Sequence, residues 1–189
     1  MTDRTIPTGD ARVLPPDRIA DVIAIQDLAT SYAYAVDDRD WDRWEALFLP
    51  DARIDYTSAG GIVGTPAELA AWMPGAMSVF TFCMHSTSTH EIRFTGIDTA
   101  TGRVHVFNRN GAIWQGTPEI VDVGAVYEDT YRLVGTAWRF ASRIEHTQYI
   151  TGGNFADMIR LATQAGRGDP DRDENSPRVS APTASGSDR

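Results

Sequence analysis

Asp37 and His85 of this 189-residue chain are candidates for a pair that removes a proton from carbon. A histidine titrates near neutrality and can take a proton. A carboxylate beside it fixes the ring tautomer and steadies the charge that forms. Asp37 falls on an apolar helical stripe, where a carboxylate costs free energy unless it gains a partner; the other reading is a helix C-terminal residue turned to solvent. His85 stands near the head of the strand-like run MHSTSTHEIRF, where a lone histidine is as readily structural as functional. His90 lies five positions on, so strict alternation sends it to the opposite face and argues against a shared His85/His90 metal site. Alternation is also taken to turn Cys83 away from His85, which argues against a thiol nucleophile. With four histidines, one cysteine and no HExxH or CxxC spacing, no metal is expected. No glycine-rich phosphate loop and no GxSxG occurs, so no cofactor is expected either.

The remaining candidates are aromatic or cationic. Tyr32, Tyr56, Tyr127 and Tyr131 have hydroxyls that can polarise a carbonyl or protonate a leaving group, yet aromatics are also ordinary core material. Tyr127, Tyr131 and Trp114 are the candidate substrate-contacting aromatics. Arg143 sits among Phe140, Ile144 and Glu145 and either clamps an anionic or halide leaving group or pairs with an acid. Tyr32 precedes Asp37 by five residues, about 140° around an ideal helix. Both reach one pocket only if the pocket wraps the helix end.

Placing these residues needs helices first and strands afterwards. Pro15-Pro16-Asp17 reads as a helix start. Ile19, Val22, Ile23, Gln26, Ala29, Ala33 and Val36 recur at helical spacing as one stripe, with Asp37 on it. A short helix is expected from about Asp40 to Leu47, a strand over Ala52–Tyr56, and a third helix opened by Thr65-Pro66 and reaching about Met73. Four long strands follow, at Met84–Phe94, Gly102–Gln115, Val121–Val134 and Ala137–Ile150. Val121, Val123, Ala125, Tyr127, Asp129, Tyr131 and Leu133 alternate with more polar neighbours, as in a half-buried antiparallel strand. A last helix is expected near Asn154–Gln164. This order implies an α+β fold. Residues 1–16 read as a flexible arm and residues 17–165 as one domain. Residues 166–189 hold too few large apolar side chains to offset their ordering entropy and read as a disordered tail.

Composition narrows the function classes. At 42% hydrophobic and 23% charged the chain is of ordinary globular type. A net charge of −9 repels phosphate backbones, so nucleic acid is not an expected partner. No apolar run is long enough to span a membrane, and one cysteine allows no internal disulfide; both fit a soluble, cytoplasmic protein.

The run IQDLATSYAYAVDDRDWDRWEALFLPDARIDY resembles the opening of the SnoaL-like branch of the NTF2-like superfamily. The likeness is to the hexachlorocyclohexane dehydrochlorinase, scytalone dehydratase and bile-acid 7α-dehydratase families. Asp37 matches the aspartate that follows their first long helix. His85, in FCMHSTS, matches the partner histidine. Tyr32 matches a tyrosine of the bile-acid enzymes, Tyr56 one found in both dehydratases, and Arg143 the arginine of the dehydrochlorinases. ATGRVHVFNRNGAIW and VGAVYEDTYRLVGTAWRF also resemble the bile-acid enzymes. The serine and asparagine that scytalone dehydratase uses on a late strand are replaced by Ala125 and Tyr127.

The resemblance implies an NTF2-like cone, a curved antiparallel sheet wrapped around N-terminal helices, assembled as a homotrimer. It implies a cofactor-independent lyase acting on a small hydrophobic, polycyclic or steroid-like substrate with loss of water or halide. His85, Asp37, Tyr56, Tyr32 and Arg143 would be its catalytic set. An isomerase or cyclase using the same base is the enzymatic alternative, and a ligand-binding module on the same fold is the non-enzymatic one.

Overall fold

Pro16 fixes the backbone of a 3-10 turn, Pro16–Arg18, that leads into helix α1, Ile19–Asp37. The computed structural model describes residues 16–167, with side chains to residue 160; the expectations for the N-terminal arm and the tail lie outside those residues, save for Pro16 and the end of the last helix. Helix α2, Trp41–Ala46, starts at Asp40, whose carboxylate accepts the Arg43 backbone N–H at 3.0 Å. Strand β1, Phe48–Asp55, and the short β2, Val63–Gly64, precede helix α3, Pro66–Met77. Thr65 and Glu68 close a reciprocal capping box at the start of α3. Strands β3 (Phe80–Phe94), β4 (Thr99–Trp114), β5 (Thr117–Val134) and β6 (Ala137–Gly152) then run as a meander into helix α4, Asn154–Arg167.

The expected elements are all present, with strands and the last two helices longer than the sequence marks. The six strands form one sheet in the order β2-β1-β6-β5-β4-β3. It is antiparallel except where β1 lies parallel to β6, so the sheet is mixed. Extra residues on β3 and at two places on β6 shift the register. Such bulges bend and twist a strand, and here they curve the sheet around α1. The main core fills that concavity: Ile25, Leu28, Tyr32 and Val36 of α1 meet Val104, Val106, Tyr127 and Phe140 of the sheet. A second, smaller cluster joins Phe155 and Ala156 of α4 to Ala112 and Val121.

Helix α1 buries a different arc from the expected stripe. Ile25, Leu28, Ala29, Tyr32, Ala33, Ala35 and Val36 are buried, while Ile19 and Ile23 are 49% and 60% exposed. The helix is apolar over more than half its circumference, so spacing alone offers two overlapping faces. The sheet takes the face centred on Tyr32. Asp37 is left at the margin of that face, turned sideways toward β3.

The strand bulge corrects the expectation for His90. Thr87 pairs with Val106 and His90 with Val104, so three residues of β3 face two of β4. Ser88 and Thr89 are both exposed, and the extra residue returns His90 to the concave side. Cys83 is corrected as well. It lies two residues from His85, on the same face, because alternation reverses only adjacent residues.

Candidate active site

Asp37 ends α1, where the helix dipole disfavours a carboxylate by about 0.3–1 kcal/mol. Among the described residues its hydrogen bonds come from β3. The backbone N–H of His85 donates to Asp37 Oδ2 at 2.9 Å and to Oδ1 at 3.2 Å, and His85 Nδ1 lies 2.6 Å from Oδ1. One carboxylate thus holds both the main chain and the ring of one histidine. The side chains are 7% exposed for His85 and 17% for Asp37. A carboxylate accepts only, so Nδ1 carries the hydrogen and the Nε2 lone pair is left to take a proton. An imidazolium formed here is steadied by Asp37 and by the negative end of α1.

Cys83 flanks this pair but stays a thiol. Burial, reinforced by the charge of Asp37, pushes it up to about 11, against a smaller opposing effect of Arg39. Near neutral pH little of it is the nucleophilic thiolate.

Further into the concave face, Tyr32 and Tyr56 share a hydrogen bond of 2.7 Å between their hydroxyls. Both are buried, and burial holds the Tyr56 phenol well above its ordinary range, so it remains a donor. Arg143 is enclosed by rings: its guanidinium carbon lies 4.0 Å from the Tyr32 centroid, 4.3 Å from Tyr127 and 4.2 Å from Phe140. Its Nε and Nη2 donate to the two oxygens of Asp129, each at 2.8 Å. Burial pulls its pKa down, but Asp129 more than offsets it and holds the cation. Arg143 Nη1, however, is buried with no hydrogen-bond partner, one of three such side-chain atoms among the described residues; Asn108 Oδ1 is another.

The same aspartate serves a second histidine. Tyr131 donates its hydroxyl to Asp129 Oδ2 at 2.9 Å, and His90 Nε2 lies 3.1 Å from that hydroxyl. Tyr131 spends its hydrogen on Asp129, so His90 Nε2 must be the donor. Burial lowers the pKa of His90, with Asp129 opposing and Arg143 assisting. The Tyr131 ring lies over Gly102, where a Cβ would stand 2.5 Å from its hydroxyl, so no larger residue fits there.

The structure therefore gathers Tyr32, Tyr56, Tyr127 and Arg143 into one cluster, with Tyr131 joined through Asp129. Trp114 stands apart, at the far end of β4, packed on Phe155 at 6.1 Å between centroids. Three residues were not singled out from sequence. Asp129 was visible as an acid in the buried phase of β5, between Tyr127 and Tyr131. Glu145 is buried two residues beyond Arg143, in the same phase of β6. Asn108 carried no signal, since its importance comes from pairing directly opposite His85.

Among the described residues no helix is long and apolar enough to cross a membrane. The profile of the SnoaL-like domain family matches residues 17–144. An uncharacterized protein of Mycobacterium tuberculosis is 31% identical over 137 residues, 72% of this chain and 91% of its own length. The gamma-hexachlorocyclohexane dehydrochlorinase of Sphingobium indicum is 28% identical over 135 residues, 71% of this chain and 85% of that enzyme. Among solved structures, a type 2 hexachlorocyclohexane dehydrochlorinase superposes with a TM-score of 0.65 at 22% identity, over 72% of this chain and 91% of that one. A Novosphingobium aromaticivorans protein provisionally named a scytalone dehydratase gives 0.63 at 23% identity, over 71% and 88%.

Proposed function

Because the chain belongs to the SnoaL-like domain family, with its NTF2-like α+β cone, we propose that it is a cofactor-independent lyase. His85 removes a proton from a carbon next to an electron-withdrawing group, and water or halide departs from the neighbouring carbon. The observation that carries this reading is the 2.6 Å contact of His85 Nδ1 with Asp37, made by a carboxylate that also holds the histidine's backbone. The double hold fixes ring position as well as tautomer, the orienting role a general base needs. Tyr56, with Tyr32 behind it, donates to a substrate carbonyl. Arg143 offers Nη1 to the charge that develops there. Tyr127 and Tyr131 present aromatic surface for a small hydrophobic substrate, while Trp114, packed on Phe155, lies outside this cluster. The dehydrochlorinase relative lends support to elimination as the reaction class.

A screen of hydroxylated and halogenated alicyclic and polycyclic compounds, read by mass loss, tests this. On a substrate so found, His85→Ala is expected to lower turnover by about 10²–10⁴-fold while binding persists. Wild-type turnover in that variant would remove the base assignment. Product of unchanged mass would move the reading to an isomerase or cyclase.

The assembly belongs to the same proposal. Phe82, Met84, Phe107 and Tyr149 are 45%, 52%, 48% and 44% exposed on the convex face of the sheet. Phe107, Gly124 and Tyr149 stand side by side across β4, β5 and β6. A row of exposed apolar side chains on a broad sheet fits packing against further copies of this chain, closed as a trimer. Light scattering at micromolar concentration is expected to give three times the chain mass, and a monomer mass would overturn the assembly.

A further inference from the structure

The concave face carries a set of polar groups that proton abstraction by His85 does not use. Asn108 stands on β4 directly opposite His85 on β3. Directly paired side chains share a face, with Cβ atoms about 4.5–5.5 Å apart. Its Oδ1 is buried and lacks a partner, so an acceptor waits beside the base. Across the next strand, the Tyr127 hydroxyl feels both the Asn108 amide and the carboxyl of Glu145. Glu145 is itself paired with Tyr127 across β5 and β6 and is 8% exposed. Thr147 Oγ1 lies 3.3 Å from Glu145 Oε1, and Ser58 Oγ donates to the Glu145 backbone carbonyl at 2.6 Å. Asn108, Tyr127 and Glu145 therefore form a polar track across three strands that begins next to His85.

On the basis of the lyase reading above, we propose that Glu145 is the proton donor to the leaving group and that the substrate is a β-hydroxy carbonyl compound. A halide leaves as a stable anion and needs no proton, whereas hydroxide is a poor leaving group and departs readily only as water. A dedicated buried acid is useful to the second reaction alone. Asn108 Oδ1 is the matching acceptor for the hydroxyl hydrogen, and Arg143 Nη1 is the unpaired donor for the carbonyl end.

The groups facing Glu145 keep it suited to the task. Burial raises its carboxyl to about 7, while Thr147 and Arg143 pull more weakly the other way. Arg143 is the nearby cation, and its charge is already matched by Asp129. Tyr127 faces Glu145 from β5 and stays a neutral phenol. Tyr32 and Tyr56 stand beyond Arg143.

The step balances. His85 Nε2 takes the proton from the carbon next to the carbonyl, and that C–H electron pair becomes the new C=C bond. The C–O bond breaks onto oxygen, which receives the Glu145 proton and leaves as water. Imidazolium and carboxylate remain; solvent removes the proton from the first and returns one to the second.

The test uses the full chain and two probes on one decalone skeleton, a β-hydroxy ketone and its β-chloro counterpart. Glu145→Gln is expected to slow loss of water by about 10²-fold or more and to leave loss of chloride within about twofold. Retained chloride elimination also shows that the variant folds. In wild type, the ratio of hydroxyl to chloride turnover is expected to fall as pH rises through about 7, as Glu145 ionises, and to be flat in Glu145→Gln. Undiminished loss of water from Glu145→Gln would overturn the proposal, as would equal loss of both reactions or a pH-independent ratio in wild type. The last needs no variant. Failure of His85→Ala to slow either probe, or of wild type to process either, would remove the base reading instead, so the two failures are distinguishable.

Discussion

Strand β3 places two histidines on one concave face, and their neighbours give them opposite fates. His85 meets a carboxylate directly, at the partly exposed margin of α1, and keeps a lone pair for chemistry. His90 meets its carboxylate only through the Tyr131 hydroxyl, in a network whose acid and cation are 0% and 1% exposed. Asp37 receives three contacts, all from one residue, whereas Asp129 receives two from Arg143 and one from Tyr131. The first arrangement is a poised acceptor. The second is a joint between β5, β6 and β3 in which Arg143 Nη1 stays open. What separates the two histidines is whether the carboxylate is met directly or through a tyrosine hydroxyl.

Exchanging acid for amide at each site is the strongest way to break the contrast. Asp37→Asn is expected to lower turnover by about 10²-fold or more, with a change in unfolding free energy of about 1 kcal/mol. Combined with His85→Ala it is expected to be little worse than the more severe single variant, since the two act as a unit. Asp129→Asn is expected to act first on stability, costing about 3–5 kcal/mol because it leaves the Arg143 cation buried and unmatched. Denaturant unfolding and initial rates on the same preparations check both; a large stability loss in Asp37→Asn would blur the distinction.

A smaller effect sharpens it. Burial depresses the His90 pKa below its ordinary 6.5, so in acid the unfolded chain binds a proton that the folded chain refuses. Stability associated with His90 is therefore present above about pH 6.5 and lost as pH falls below it. The gap in melting temperature between wild type and His90→Gln is expected to shift in favour of the variant over that window. A gap independent of pH would show that His90 is solvated rather than enclosed.

Much of this was legible in the chain. Helix and strand order followed from spacing and from the punctuation at Pro16, Pro66 and the hairpin turns. Asp37 stood out because an acid on an apolar stripe needs a partner, and His85 because of the motif around it. The face of α1 was not legible, since Ile19 and Ile23 offer as much apolar surface as Leu28 and Tyr32. His90 was misdirected by period-two reasoning, which fails at a bulge formed by residues as ordinary as Ser88 and Thr89. Glu145 and Asn108 matter only through cross-strand register, and register lies in no local pattern. Asp129 was the accessible omission. It interrupts an apolar alternation as Asp37 does, and the same logic applied to β5 would have paired it with Arg143.

The parallel pairing of β1 with β6 joins Phe48 to Phe140 and Ile54 to Arg143. Those contacts close a loop of roughly 90 residues, and long loops are slow to close because their entropy must be lost before any contact rewards it. The hairpins β3–β4, β4–β5 and β5–β6 need no such search. During refolding the local strands should therefore gather first, and the contacts that bring Tyr32 and Tyr56 against Arg143 should arrive last. Catalytic competence would then trail the recovery of secondary structure, so a chain caught late in folding looks nearly complete by circular dichroism and is still inert.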